Sequence, residues 1–135
     1  MMQVFLAGCV FIRNNQILLL KRTKTGWFEL PGGKIEPSES AKEAALREVK
    51  EELGVNAQII QKLGCSSFVQ DNRNMSYTWF EARFSVDELP VIKEPQTFEE
   101  LTYLPLNELT SYHLSPNMLN FAHELKEGKI MLTKF

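Results

Sequence analysis

The sequence predicts an α/β domain, a mixed β-sheet with helices on its faces. Three observations carry this expectation. Apolar, β-prone runs open the chain, one long capped helix follows them, and alternating segments then lead to a second helix. Val4 to Arg13 and Ile17 to Lys21 are the opening runs, and Asn14-Asn15 between them predicts a hairpin turn. Thr23 to Gly26 reads as a polar loop and Trp27 to Leu30 as a short extended piece. Pro31-Gly32-Gly33 then breaks regularity, because Pro lacks an N–H and Gly accepts unusual backbone angles.

The clearest helix is expected over Ser38 to Leu53, opened by Pro37 or Ser38, with Glu39 in its first turn and Gly54 as a left-handed stop. Val55 to Phe68 and Ser76 to Val86 read as strands around a turn at Gln70 to Asn74. Leu89 to Thr97 carries two prolines and reads as a loop, with a short strand at Phe98 to Leu104. Ser115-Pro116 opens a last helix that Gly128 closes.

The 135 residues suit one domain, expected over 1–135, with 44% hydrophobic and 24% charged residues. Fifteen Lys and Arg stand against 17 Asp and Glu, a net charge of −2. That balance argues against a partner gripped by its phosphate backbone, which usually demands a basic excess. No apolar run approaches the roughly 20 residues that cross a bilayer, so no membrane partner is expected. Leu6-Ala7-Gly8-Cys9 looks like a lipoprotein cleavage box, but the residues before it lack a cation and are too few for an apolar core. Cys9 and Cys65 form no CxxC pair, and both read as buried small hydrophobes in a reducing cytoplasm.

The chemistry lies on the first helix. At about 100° per residue, Glu48 and Glu52 stack one turn apart and Glu51 flanks them, while Leu46, Val49 and Leu53 point toward a core. Three carboxylates this close repel one another, and a hard cation would relieve that cost. Taken alone they also fit a solvated acidic stripe paired with Lys42, Arg47 and Lys50.

Their neighbours decide between the two. Gly33, Glu39 and the run Arg47-Glu48-Val49-Lys50-Glu51-Glu52-Leu53-Gly54-Val55 are spaced as G-x5-E-x7-R-E-U-x-E-E-x-G-U, where U is aliphatic. This resembles the Nudix box at every defined position, a match whose chance frequency is on the order of one in a billion per start site. Leu19 to Gly32 also looks like this family, in its MutT-like branch.

The resemblance implies an α/β/α sandwich and a hydrolase of nucleoside diphosphates linked to a group X. It implies Mg²⁺ as cofactor, with Mn²⁺ able to substitute, held by Glu48, Glu51, Glu52 and the Gly32 carbonyl. Glu48 is the first candidate for general base and Glu51 the second; Glu94, Glu99 and Glu100 are candidates outside the box. Arg47 completes the catalytic set as a brace. With Glu39 it orients the carboxylates, while Gly33 and Gly54 shape the loop and the helix end. The implied partner is a small nucleotide, and a homodimer is compatible with the resemblance.

Arg22, ending a strand, reads as a phosphate contact or a surface arginine. Trp27 and Phe28 read as base contacts. Trp79, Phe80 and Phe84 read as core, and His113 and His123 as non-catalytic. Subfamily signatures narrow the substrate by their absence. No long insert separates Arg22 from Pro31, as in coenzyme A-cleaving relatives. Asp71 replaces the proline of ADP-ribose cleavers, and Asn72-Arg73 the tyrosine of diadenosine-polyphosphate cleavers. What remains is a nucleoside-triphosphate pyrophosphatase, with oxidised or non-standard nucleotides included; the alternatives are a hydrolase of a dinucleoside polyphosphate or nucleotide sugar, or a non-hydrolysing sensor. Asn117 is a candidate base reader, since MutT-like enzymes for oxidised guanine have an Asn in a similar setting, and Glu99 and Glu100 are its rivals. Leu30 stands where some of those enzymes have Phe.

Overall fold

In the computed structural model, which describes residues 1–133, eight strands and two α-helices follow in the order β1 (Met2–Val10), β2 (Ile12–Arg13), β3 (Gln16–Arg22), β4 (Phe28–Glu29), β5 (Gly32–Lys34), α1 (Ala41–Leu53), β6 (Gln58–Gln70), β7 (Arg73–Arg83), β8 (Phe98–Pro105) and α2 (Pro116–Lys126). A 3₁₀ turn at Leu106–Ser111 precedes α2 and has no counterpart in the sequence reading. Positions 134 and 135 of the expected domain lie outside the described residues. One sheet runs β5-β1-β7-β6, with β1 and β7 parallel and its other pairs antiparallel; the second is built on β3, which pairs β2, β4 and β8. The sheet is therefore mixed, as expected.

The opening run is not one strand. It divides at Phe11: β1 joins the first sheet, and only the two residues of β2 form the expected hairpin with β3. Periodicity could not reveal this, because Val10, Phe11 and Ile12 form one unbroken apolar run across the break. Two turns carry positive φ at both central residues, Asn14-Asn15 (52° and 60°) and Asp71-Asn72 (50° and 58°), which suits tight hairpins and residues that tolerate that region.

Helix α1 begins at Ala41, later than expected. Ser40 is its N-cap, and a reciprocal bond with Glu43 satisfies two backbone donors, so Glu39 stays outside the helix. Gly54 closes it in the left-handed conformation, donating to the Lys50 carbonyl at 3.0 Å.

Alternation along β1 and β7 feeds two cores. Ala7, Cys9, Phe80 and Ala82 pack with Ala45, Val49 and Leu53 of α1. Val10, Tyr77 and Trp79 pack with Met118 and Phe121 of α2. Cys9 is buried, which pushes its thiol up to about 12, whereas Cys65 is exposed on β6, contrary to expectation. It lies on a long strand that nothing covers at that position. The tail after α2 is held by Glu81, whose Oε1 accepts from the Thr133 N–H at 3.0 Å and from Gln61 at 2.8 Å. Among the described residues no helix is long and apolar enough to cross a membrane.

Candidate active site

The box folds so that α1 presses its carboxylates against the β5 loop. Glu52, 5% exposed, accepts from the Gly32 N–H at 2.9 Å. Glu48 lies directly under Gly33: a Cβ there would come within 2.6 Å of its carboxyl carbon and would push the carboxylate out of its place beside Arg47. Gly32 is likewise closed to a side chain, by the Tyr77 hydroxyl and by the Ala7 and Gly8 backbone. Burial, reinforced by Glu48, pushes the Glu52 carboxyl up to about 9 despite the Gly32 N–H, and burial also raises Glu48 against the pull of Arg47. Glu51 is exposed.

Arg47 is the brace. It grips Glu39 through two bonds of 2.6 and 2.9 Å, donates to the Lys34 carbonyl at 3.0 Å and holds Glu48 at 2.9 Å. Its contact with Glu51 is longer, 3.3 Å. The bidentate pair holds the Glu39 carboxyl down to about 2. One guanidinium therefore ties the loop before the helix to the carboxylates on it.

Gly32, Gly33 and Lys34 also form one wall of a cavity of about 630 Å³. Its other walls bring Arg22 from the end of β3, Lys24 and Trp27 from the β3–β4 loop, Phe68 and Arg73 from the β6–β7 hairpin, and Ser115 and Asn117 from the start of α2. Arg22 is not free there: its Nε and Nη2 donate to Glu29 at 2.6 and 2.9 Å, and the Trp27 indole donates to the same carboxylate at 2.8 Å. That network pins the loop and sets Trp27 against the cavity.

Phe28 faces the other way. It packs edge-on to Tyr112, with Lys21 above it, and does not line the cavity, because alternate residues of β4 point to opposite sides. Glu99 and Glu100 are exposed on β8 opposite β3, Glu99 3.6 Å from Lys21, and neither lines the cavity. Glu94 lies nearer the box. The Glu52 carbonyl accepts from the Lys93 N–H at 3.0 Å, and the Glu94 charge bears on both Glu48 and Glu52.

Asn117 is buried, at 5% exposure, and its Oδ1 accepts from the Trp79 indole at 2.8 Å. Sequence reasoning missed Arg73, Lys34 and Phe68 as cavity residues and had Trp79 only as core. The hairpin that carries Arg73 and Phe68 meets the β5 loop only through sheet pairing, and no local pattern announces that.

Among the described residues no three acidic, His or Cys side chains are poised around one point to hold an ion. The donor set still fits one. Glu48 and Glu52 are desolvated carboxylates one turn apart, a costly pair that a hard cation would stabilise, and a Cβ at Gly33 would displace the Glu48 carboxylate. Glu48, Glu51, Glu52 and the Gly32 carbonyl could supply oxygen ligands.

The family model described as NUDIX domain matches residues 3–125. The chain belongs to the Nudix family. The Nudix hydrolase YvcI of Bacillus subtilis is 26% identical over 127 residues, 93% of this chain and 80% of that protein. A crystal structure of a MutT Nudix hydrolase from Burkholderia pseudomallei superposes with a TM-score of 0.81 at 27% identity, over 92% of this chain and 98% of that one. These place the chain in the MutT-like branch of the Nudix hydrolases. Higher identity is local: 49% over 55 residues, 41% of this chain, with a Bacillus subtilis protein provisionally named an 8-oxo-dGTP diphosphatase. That stretch spans 37% of the relative's length.

Proposed function

We propose that the chain hydrolyses nucleoside triphosphates, normal or oxidised, to the monophosphate and pyrophosphate, with Mg²⁺ as its ion and Mn²⁺ able to replace it. The observation that carries this reading is the single cavity that joins the Gly32-Gly33 wall of the box to Trp27, Phe68 and Asn117. One end suits phosphates and the other a flat base. Its volume of about 630 Å³ suits a small nucleotide rather than a polymer.

A bound divalent ion would offset phosphate charge and acidify a water. The chain's own residues do the rest. Arg47 and Glu39 hold the Gly33 loop at a fixed distance from the carboxylates. Glu48, half-buried with its affinity for a proton raised, is placed to accept one from an attacking water. Lys34 and Arg73 line the wall and offer cations to phosphate oxygens. Arg22, committed to Glu29, positions Trp27 instead. A cytoplasmic location suits such a substrate.

The test is a nucleotide panel with Mg²⁺, with phosphate assayed with and without added pyrophosphatase. The proposal expects phosphate only after pyrophosphatase treatment. Direct release of orthophosphate, or no turnover of any triphosphate, would refute it.

A further inference from the structure

We propose that Tyr77 is a substrate contact, its hydroxyl donating to the phosphate that joins the nucleoside to the rest of a bound nucleotide. This rests on the nucleotide reading of the cavity. Tyr77 lies on β7, with Met75 and Trp79 two residues to either side on the same face of the strand. Met75 sits opposite Phe68 in the sheet, and Trp79 holds Asn117, so Tyr77 stands among the residues of the nucleoside end. Its ring is buried, but its hydroxyl reaches across to the box.

Two glycines make that reach possible. Gly8 and Gly32 face each other across β1 and β5, and a Cβ on either would collide with the phenol oxygen. The hydroxyl therefore rests against the loop whose Gly32 N–H holds Glu52 at 2.9 Å. One side chain thus touches both ends of the cavity. Polar groups around it are matched: the Pro31 carbonyl accepts from the Cys9 N–H at 3.0 Å, and the Trp79 indole donates to Asn117 at 2.8 Å. The Tyr77 hydroxyl has no protein partner among the described residues, nor is it among the sealed, unpartnered polar atoms. It therefore opens on the cavity that Tyr77 lines.

A hydroxyl without a partner at this depth destabilises a core that phenylalanine would fill as well. A bound ligand can supply the missing partner. The neutral phenol has one proton to donate, and at the box wall the ligand group that needs a donor is a phosphate oxygen. Bonds from a hydroxyl to a charged oxygen are short and strong. Of the three phosphates in a triphosphate, the first is the one bonded to the nucleoside, so it alone lies both beside the nucleoside end and at the wall. Held there, it sets where the anhydride bond beyond it lies against the box.

Tyr77→Phe removes that one oxygen and keeps the ring. The probes are guanosine, adenosine, cytidine and uridine 5′-monophosphates, each against its own nucleoside, in titration calorimetry with Mg²⁺. Every monophosphate that binds the wild type should bind Tyr77→Phe about tenfold more weakly, while its nucleoside treats the two proteins alike. The kcat/KM for the matching triphosphate should fall by the same factor. The unliganded variant should melt at or above the wild-type temperature, because no protein hydrogen bond is lost. Monophosphate affinity or triphosphate kcat/KM within about twofold of wild type overturns the proposal and leaves the nucleotide reading intact. So does an equal loss for nucleoside and monophosphate, which would assign the hydroxyl to the sugar or base. A melting temperature several degrees lower would assign it to the fold and overturns the proposal too. A wild type that binds no monophosphate and turns over no triphosphate overturns both.

Discussion

The two ends of the cavity are built from opposite materials. At one end the wall is Gly32-Gly33, and behind it, outside the cavity lining, α1 holds Glu48 against Arg47 and Glu52 against the Gly32 N–H. At the other, α2 supplies the neutral side chains of Ser115 and Asn117, with Asn117 held by a buried indole. The acidic end stores repulsion that a cation would relieve, while the neutral end is already satisfied on its protein side. The first is thus poised for charge and chemistry, and the second for recognition. Substitutions should therefore act on turnover at one end and on selectivity at the other.

The largest effect should come from Glu52→Gln. The amide can still accept from the Gly32 N–H, so circular dichroism and melting should stay close to wild type, while kcat falls about 10³-fold or more, about 4 kcal/mol of barrier. Turnover within tenfold of wild type would break the distinction between the two ends. Gly33→Ala comes next. Its Cβ would strike the Glu48 carboxylate, and kcat should drop about 10- to 100-fold with base selectivity unchanged, as paired nucleotide assays would show.

A smaller effect concerns the brace and appears in acid. The Glu39 carboxyl is held down to about 2 in the folded state, from an ordinary value of 4.5. Its pair with Arg47 therefore contributes fully above pH 4.5 and is lost as the pH falls toward 2. Melting curves of Glu39→Gln and wild type should differ at neutral pH and converge across that window; a gap that persists at pH 2 would contradict the ion-pair account. The smallest effect belongs to Glu99→Gln. Its exposed pair with Lys21 should be worth under about 1 kcal/mol in denaturant titration, with kcat/KM within about twofold of wild type.

The same contrast explains what the sequence revealed. Glu48, Glu51 and Glu52 are contiguous with the helix that presents them, so helical spacing alone puts them together. Gly54 could be assigned as a helix stop for the same local reason. The neutral end draws on a β3–β4 loop, a β6–β7 hairpin and the start of α2, and sheet pairing alone makes those neighbours. Trp79 looked like core and is core; its hydrogen bond is what local patterns cannot show. Phe28 and Trp27 are adjacent in the sequence, but alternation sends only Trp27 to the cavity. The Ser40–Glu43 capping box was legible and would have placed the helix start correctly.

The central claim is that one ligand spans both ends. Titrating the isotope-labelled protein with a non-hydrolysable nucleoside triphosphate, in the presence of Mg²⁺, tests it directly by nuclear magnetic resonance. The Gly32 and Gly33 amides, the Trp27 indole and the Asn117 carboxamide should all shift with one common midpoint. Shifts confined to one end, or separate midpoints for the two, would contradict the account.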